Sequence, residues 1–348
     1  MTVSVFEHPF LAGLLGDEEI GAHFTVEADI AAMLTFEAAV ARAEAGAGLL
    51  SQADAARIAE VCSGFRPDVA SLRKAVGTDG VVIPDLVKQL REAIGGDAAK
   101  SLHLGATSQD AIDTSLMLRL KKVFYILAGR LFTVAKSLEK LDAQFGSRAL
   151  MGRTRMQAAI PITVSDRLAS WKTPLVEYSE RLMQQRFPLQ FGGAAGTLDK
   201  LGDKAAPVRS ALAAELGLSD QSQWQSQRLP IADIAHIFSL ITGSLGKFGQ
   251  DIALLAQAGG EIKLQGGGGS SAMAHKQNPV AAETLVALAR FNATQIAGIQ
   301  QSMVHEQERS GAAWTLEWMI LPQMAMAAGV SLKLAAQLAD NIVKLGTE

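Results

Sequence analysis

The sequence predicts an all-α protein organised around a bundle of long helices. Aromatic residues make up 5% of its 348 residues, and sustained alternating runs of β-branched residues, which would indicate strands, are hard to find. Hydrophobic residues recur instead at helical spacing over long stretches, and residues 85–160 contain no proline. Long helices with continuous apolar seams pack most simply side by side, which favours a bundle.

The first 106 residues are predicted to form a smaller N-terminal helical domain, residues 1–106. Its helical segments are short, at about 25–48, 51–63 and 84–94, and loops that contain glycine or proline separate them. The boundary is placed near Ala106, where the longest helical pattern begins, so that residues 107–348 form the central bundle.

The longest helix is predicted from nine apolar residues between Ile112 and Leu141. They span 29 residues in eight steps, a mean step of 3.6, which is the helical repeat. A second seam, from Ile231 to Leu255, has a mean step of 3.4, and Gly259 is expected to end it. The first of these helices alone would be about 45 Å long, so its apolar flanks favour association with other chains.

Three further helices complete the predicted bundle. They are a helix over residues 161–190 with Pro174 inside it, one with Asn278 as N-cap that runs to about His305, and one over about residues 315–344 with a kink expected at Pro322.

Composition excludes several classes of protein. With 49% hydrophobic and 19% charged residues the chain is not disordered, and its net charge of −3 gives no positive field for nucleic acid or anionic membranes. The longest stretch without a charge, residues 318–332, is shorter than the roughly 20 residues of a membrane span. No lysine or arginine precedes Arg42 to form a signal or transit peptide, and Cys62 is the single cysteine. We therefore expect a soluble, cytoplasmic protein.

The segment from Gly266 to Pro279 is the first candidate site. Four consecutive glycines precede two hydroxyls and a cation, at Ser270, Ser271 and Lys276. The following helix directs its N-terminal amides back at this loop, so the segment can bind an anion. A polar linker between helices is the alternative. A phosphate-binding P-loop and a nucleophile elbow are excluded, because the spacings that they require are absent.

The segment that leads into the longest helix is the second candidate. Thr107 or Ser108 is a natural N-cap, and Asp110 and Asp113 in the first turn suit the helix dipole. The functional interpretation places the same hydroxyls and amides on a substrate carboxylate.

Two charged segments complete the set. Arg153, Arg155 and Gln157 precede a predicted helix and are either surface residues or anion ligands. Residues 305–318 begin like the zinc motif His-Glu-x-x-His, but Arg309 occupies the last position, so we expect no zinc and interpret the segment as a solvated helix end.

Taken together and in this order, the segments resemble the conserved regions of the fumarase/aspartase superfamily over most of the chain. The match is most specific at residues 269–278, which reproduce the superfamily's Gly-Ser-Ser-x-Met-Pro-x-Lys-x-Asn loop except that Ala274 replaces proline. The segment from His103 to Thr114 resembles the first conserved region of the superfamily, and the segment from Gly152 to Pro161 resembles the second. Arg155, which stands where many members carry histidine, and residues 305–318 look most like the muconate-lactonising members.

This resemblance implies an all-helical fold and a homotetramer whose active sites each gather residues from three subunits. It implies a small polycarboxylate substrate and no metal or organic cofactor. Because the chain stops near the end of the bundle, the small C-terminal domain of the family is expected to be missing or reduced.

The resemblance also assigns roles to residues. Ser270 is the expected acid–base group at the carbon next to a carboxylate, although Ser271 stays an alternative. The intermediate is an aci-carboxylate, whose charge needs fixed donors. The expected substrate-binding residues are His103, Thr107, Ser108, Arg153, Arg155, Gln157, Ser271, Lys276 and Asn278.

Arg155 discriminates among the reactions of the superfamily. The histidine found there in other members helps protonate a leaving group, and a carboxylate with a pKa near 4 needs no such proton. An arginine could instead hold a substrate carboxylate through two hydrogen bonds. The expected reaction is therefore lactonisation of a carboxylated muconate in the breakdown of aromatic acids. A sulfonated muconate, an adenylosuccinate-lyase-like reaction and a silent helical scaffold are the alternatives.

Overall fold

The computed structural model describes residues 4–269 and 278–348, and within them the chain is mostly helical. The helices are α1 Ala12–Leu15, α2 Glu18–Gly21, α3 Val26–Gly46, α4 Gln52–Gly64, α5 Val69–Asp79, α6 Ile83–Ile94, α7 Ala98–Ser101, α8 Ser108–Phe145, α9 Val164–Gln184, α10 Ala205–Leu216, α11 Leu229–Ala258, α12 Val280–Ser302 and α13 Gly311–Asp340. The strands form two antiparallel pairs, β1 Ala149–Thr154 with β2 Gln157–Thr163, and β3 Ile262–Leu264 with β4 Ile342–Leu345. The all-α prediction is confirmed.

The long predicted helices are present, and their apolar seams face the core. All nine seam residues of α8 and all eight of α11 are buried. At 38 residues, α8 is about 57 Å long. Gly259 caps α11 as predicted, and α13 runs through Pro322 as one helix.

Three local predictions were wrong. The segment that carries Arg155 is a β-hairpin and not the approach to a helix, because α9 begins only at Val164. The last helix ends at Asp340, and the residues that follow pair with β3. The N-cap position of α12 is Pro279, while Asn278 forms an isolated antiparallel bridge with Gly268.

Helices α8, α11 and α13 run in the same direction, and ion pairs join them near their N-terminal ends. Arg228, at the N-cap position of α11, pairs with Asp113 in α8 and with Glu317 in α13. Near the other end, the Ser137 hydroxyl of α8 donates to the Asp340 carboxylate of α13 at 3.0 Å. Helix α12 packs closely against α11, since a Cβ on Gly249 would lie 2.5 Å from the Ala282 carbonyl oxygen.

The bundle therefore has two chemically different ends. The start end comprises residues 103–110, 190–194 and 302–310, which surround the first turn of α8. The hairpin end comprises residues 148–163, 259–269 and 341–348, where the two strand pairs meet. The length of α8, about 57 Å, separates the two ends.

Among the described residues, helices α11 and α13 have the length and the apolar composition of a membrane-crossing helix. The longest charge-free stretch of the sequence did not indicate this. Their most apolar 18-residue windows are 56% and 72% buried inside the protein. Burial of this kind is the pattern of core helices in a soluble bundle.

Candidate active site

The first turn of α8 is held rigidly at the start end. Asp110 is completely buried and accepts hydrogen bonds from the Thr107 amide at 3.0 Å and from the Gly192 and Gly193 amides at 2.9 and 2.8 Å. Burial raises the pKa of Asp110 to about 6, against the pull of these donors, so the carboxyl is ionised at neutral pH. The prediction that Thr107 caps α8 is confirmed, and Ser108 is the first residue of the helix.

Arg309 reaches the same turn from the loop before α13. Its Nε donates to Gln109 Oε1 at 2.9 Å, and its Nη2 donates to the Thr107 hydroxyl at 3.3 Å and the Ala194 carbonyl at 3.2 Å. All three acceptors are neutral, and no ion pair to Arg309 occurs in residues 4–269 and 278–348. A cation without a counter-ion beside a helix N-terminus favours binding of an anion.

Sequence reasoning missed this role of Arg309. The interpretation of residues 305–318 as a solvated helix end was wrong, since Trp314 and Glu317 are buried and the His305 side chain is fully enclosed. The tertiary contact with Gln109, 200 residues away in the chain, places Arg309 beside the first turn of α8.

A buried charge cluster of Asp113, Arg228 and Glu317 lies behind the site. The Arg228 guanidinium bonds both Asp113 oxygens, at 2.6 and 3.1 Å, and both Glu317 oxygens, at 2.8 and 2.6 Å. Burial alone would lower the pKa of Arg228, but the two carboxylates reverse this effect and raise it. Asp113 lies beyond the first turn of α8, so its predicted place in that turn was wrong, and it acts as an ion-pair partner instead.

His103 lies in the turn before Thr107 and pairs with Glu37 of α3. Its Nδ1 is 2.6 Å from Glu37 Oε1, and its backbone adopts a φ of +64°, which non-glycine residues rarely adopt. Burial lowers the pKa of His103, but the Glu37 carboxylate outweighs burial, so the pKa lies above its ordinary value.

The segment that carries Arg153, Arg155 and Gln157 forms the tip of the hairpin at the opposite end. Arg153 pairs with Glu261 at 2.7 Å, and this carboxylate also accepts from the Met151 amide. Arg155 occupies the turn with a φ of +47°, and its exposed side chain has no hydrogen bond or ion pair among the described residues. Gln157 begins β2 and is exposed.

The described residues that flank the glycine-rich segment, Gly268 and Asn278, lie beside the hairpin end. Asn278 exchanges backbone hydrogen bonds with Gly268 at 2.9 and 3.0 Å. The predicted Ser270, Ser271 and Lys276 lie outside the described residues.

The structure therefore groups the predicted residues into two sets. His103, Thr107 and Ser108 are at the start end, while Arg153, Arg155, Gln157 and Asn278 are at the hairpin end. A substrate of a dozen heavy atoms cannot bridge a separation of about 57 Å. One chain by itself does not bring the two sets together.

Neither the cavity described next nor the search for metal-binding clusters changes this grouping of the predicted residues. A cavity of about 1240 Å³ lies between the N-terminal helices and α13, but none of the predicted site residues that the structure describes lines it. Among residues 4–269 and 278–348, no three His, Cys, Asp or Glu side chains could hold a metal ion together.

Comparison with known proteins identifies the class to which this fold and these segments belong. A family model described as lyase matches residues 17–298, so the chain belongs to this lyase family, that of the fumarase/aspartase superfamily.

Among its relatives are enzymes named 3-carboxy-cis,cis-muconate cycloisomerase. The chain is 39% identical to the one from Pseudomonas aeruginosa, over 92% of this chain and 72% of the relative. It is 37% identical to the one from Pseudomonas putida, over 98% of this chain and 82% of the relative. The crystal structure of 3-carboxy-cis,cis-muconate lactonizing enzyme from Pseudomonas putida superimposes with a TM-score of 0.90 at 36% identity, covering 96% of this chain and 77% of that one.

Proposed function

We propose that this chain catalyses the cycloisomerisation of 3-carboxy-cis,cis-muconate to a carboxymuconolactone, a step in the breakdown of aromatic acids. The observation that carries the proposal is the similarity to the named cycloisomerases along almost the whole chain, in sequence and in fold. The substrate is a small polycarboxylate, which suits the unpaired cations Arg155 and Arg309.

The reaction needs one new C–O bond and one new C–H bond. A substrate carboxylate oxygen attacks the conjugated double bond, and the electron pair moves onto the neighbouring carboxylate as an aci-carboxylate. Ser270 then donates a proton to the carbon next to that carboxylate. The attacking carboxylate is already ionised at neutral pH and needs no base, which explains why arginine can stand at position 155.

Fixed donors stabilise the developing negative charge. At the start end these are Arg309, the Thr107 hydroxyl and the first amides of α8, which Asp110 holds in place. At the hairpin end, Arg155 supplies a planar fork that fits a carboxylate, and that fork has no partner among the described residues. We assign Lys276 and Ser271 to the same anion site.

We further propose that the active site forms between subunits of a homotetramer. The separation of the two sets of residues along α8 supports this, as do the exposed side chains of Tyr125 and Phe132 on the flank of α8. Two inactive variants test it, Arg309→Ala at the start end and Arg155→Ala at the hairpin end. Mixed oligomers should regain turnover, because some sites then combine two unaltered ends. No recovery after verified subunit exchange would contradict a shared site.

The domain boundary near Ala106 and a cytoplasmic location remain proposals. The boundary falls two residues before α8 begins. Cys62 is a free, buried thiol whose pKa burial raises to about 12, so it is unreactive at neutral pH and compatible with a reducing compartment.

Ultraviolet absorbance tests the proposed reaction directly, because lactonisation shortens the conjugated system. The chain should consume 3-carboxymuconate faster than 3-sulfomuconate and should not cleave adenylosuccinate. Preferred turnover of the sulfonate would redirect the proposal to a related cycloisomerase. Cleavage of adenylosuccinate alone would overturn it.

A further inference from the structure

In the Glu37–His103 pair, one ring nitrogen of the histidine is bonded to Glu37 and the other is left without a partner in the described structure. Glu37 lies on α3 and its side chain is only 1% exposed, whereas the His103 ring keeps 12% of its surface accessible. The 2.6 Å contact with Glu37 commits Nδ1 to the interior. Among the described residues, the other ring nitrogen, Nε2, makes no hydrogen bond or ion pair.

The backbone supports the same orientation. His103 holds a left-handed φ of +64° and lies between α7 and the N-cap Thr107. Such a conformation persists only where the surroundings impose it, and it is concentrated at functional sites. Two contacts impose the left-handed conformation here. The His103 ring is bonded to Glu37, and the Arg91 guanidinium donates to the carbonyl of the neighbouring Leu102 at 3.0 Å.

The charged groups around the ring decide its protonation. Glu37 on α3 and Asp110 on α8 favour the imidazolium, while burial and Arg91 on α6 oppose it. The carboxylates prevail, so the pKa of His103 is raised and Nε2 carries a proton over a wider range of pH than in an isolated histidine.

We propose that Glu37 is a positioning residue that holds His103 with its Nε2–H directed at a carboxylate of the substrate. The inference rests on the proposed function, which supplies the polycarboxylate. Glu37 does not touch the substrate. It acts by fixing the ring orientation and the proton on Nδ1, as carboxylates do for other functional histidines.

Helix α3 offers a matched control. Glu44 lies two turns beyond Glu37, is fully buried, and neither of its carboxyl oxygens has a hydrogen-bond partner in the described structure. Burial, and secondarily Glu37, raises the pKa of Glu44 to about 9, so it is neutral at pH 7. Substitution by glutamine is therefore nearly isosteric and isoelectronic at Glu44, but at Glu37 it removes the charge that faces His103.

The experiment compares Glu37→Gln with Glu44→Gln. In Glu37→Gln we expect KM for 3-carboxymuconate to rise about tenfold with little change in kcat, because a charge-assisted contact shared by ground and transition states is weakened. The alkaline limb of kcat/KM should move to lower pH, because the imidazolium is no longer stabilised. Glu44→Gln should retain the kinetics and the pH profile of the unaltered enzyme.

Histidine titration by NMR tests the pairing without reference to turnover, with His103→Gln identifying the signal among six histidines. A fall in the pKa of His103 in Glu37→Gln supports the inference. Unchanged titration and KM in that variant overturn it, as do equal losses of kcat and thermal stability in both variants, which would show a structural role only. If the enzyme leaves 3-carboxymuconate unchanged, the proposed function fails, while the titration still decides whether Glu37 positions His103.

Discussion

The two ends of the bundle hold their charged side chains in opposite ways. At the start end Arg228 is buried between two carboxylates, His103 is paired with Glu37, and Arg309 is tied to three neutral acceptors. At the hairpin end Arg153 is paired, but Arg155 and Gln157 project from an exposed turn. The first end is preorganised within one chain, and the second is exposed until something packs against it.

This difference has a physical cause. Buried charges are tolerated only when partners satisfy them, so the start end must carry its own ion pairs to fold. The hairpin is local in sequence and forms by backbone pairing, so its tip needs no side-chain partner. Substitutions that leave a buried charge unpaired at the start end should therefore lower stability, whereas substitutions at the hairpin end should change activity and leave stability unchanged.

The largest effect is expected from Arg228→Met. It leaves Asp113 and Glu317 buried side by side without a cation, which should lower the free energy of unfolding by about 3–5 kcal/mol in denaturant titrations. Arg209→Met is the control, because Arg209 pairs with Asp220 near the surface and should cost at most about 1 kcal/mol. Equal losses in the two variants would remove the contrast between buried and exposed ion pairs.

Ser270→Ala tests the expected acid–base group of the glycine-rich segment. Turnover should fall at least about 10²-fold with substrate binding and thermal stability retained, since the loss is that of an acid–base group. Ser271→Ala should lose less. The roles of the two serines are reversed if Ser271→Ala is the inactive variant, and the loop is only a linker if both keep the full rate.

Glu44→Gln tests the protonation state of a carboxyl group that is buried on α3. The pKa of Glu44 is about 9 in the folded protein against an ordinary 4.5, so between these values the folded state keeps a proton that the unfolded state releases. Stability of the unaltered protein should therefore fall as pH rises through this range. The gain from Glu44→Gln should grow by on the order of 2 kcal/mol between about pH 6 and about pH 7.5.

Chemical denaturation at several pH values measures this gain. Glu60→Gln provides the comparison, because Glu60 is exposed and pairs only with Arg57. A constant difference between Glu44→Gln and the unaltered protein at all pH values would show that Glu44 is not neutral when folded.

The smallest effect is expected from the conservative substitution Arg155→Lys. Arg155→Lys cannot reproduce the planar two-bond fork, so KM should rise by about tenfold without loss of stability. Arg155→His restores the side chain found in other members of the superfamily, yet it should not restore lactonisation, because the carboxylate nucleophile needs no proton transfer. Steady-state kinetics on 3-carboxymuconate distinguish the two variants. A histidine variant at the full rate would contradict the link between Arg155 and a carboxylate nucleophile.

The sequence by itself determined the long helices and the segments that carry the chemistry. The seams of α8 and α11 could be identified because a helix repeats every 3.6 residues, so neighbours on one face are local in sequence. The N-cap at Thr107 could be predicted for the same reason, because its contact is local in sequence. The Thr107 amide donates to the carboxylate of Asp110, three residues later.

Tertiary structure decided which residues act together. Glu37 meets His103 across 66 positions, Arg309 meets Gln109 across 200, and Arg228 meets Asp113 across 115. The hairpin that carries Arg155 depends on cross-strand pairing and on two left-handed residues, Arg155 and Met156, neither of which is a usual turn former. Such contacts arise from the way whole helices pack and have no periodic signal along the chain, so only the folded bundle places these side chains together.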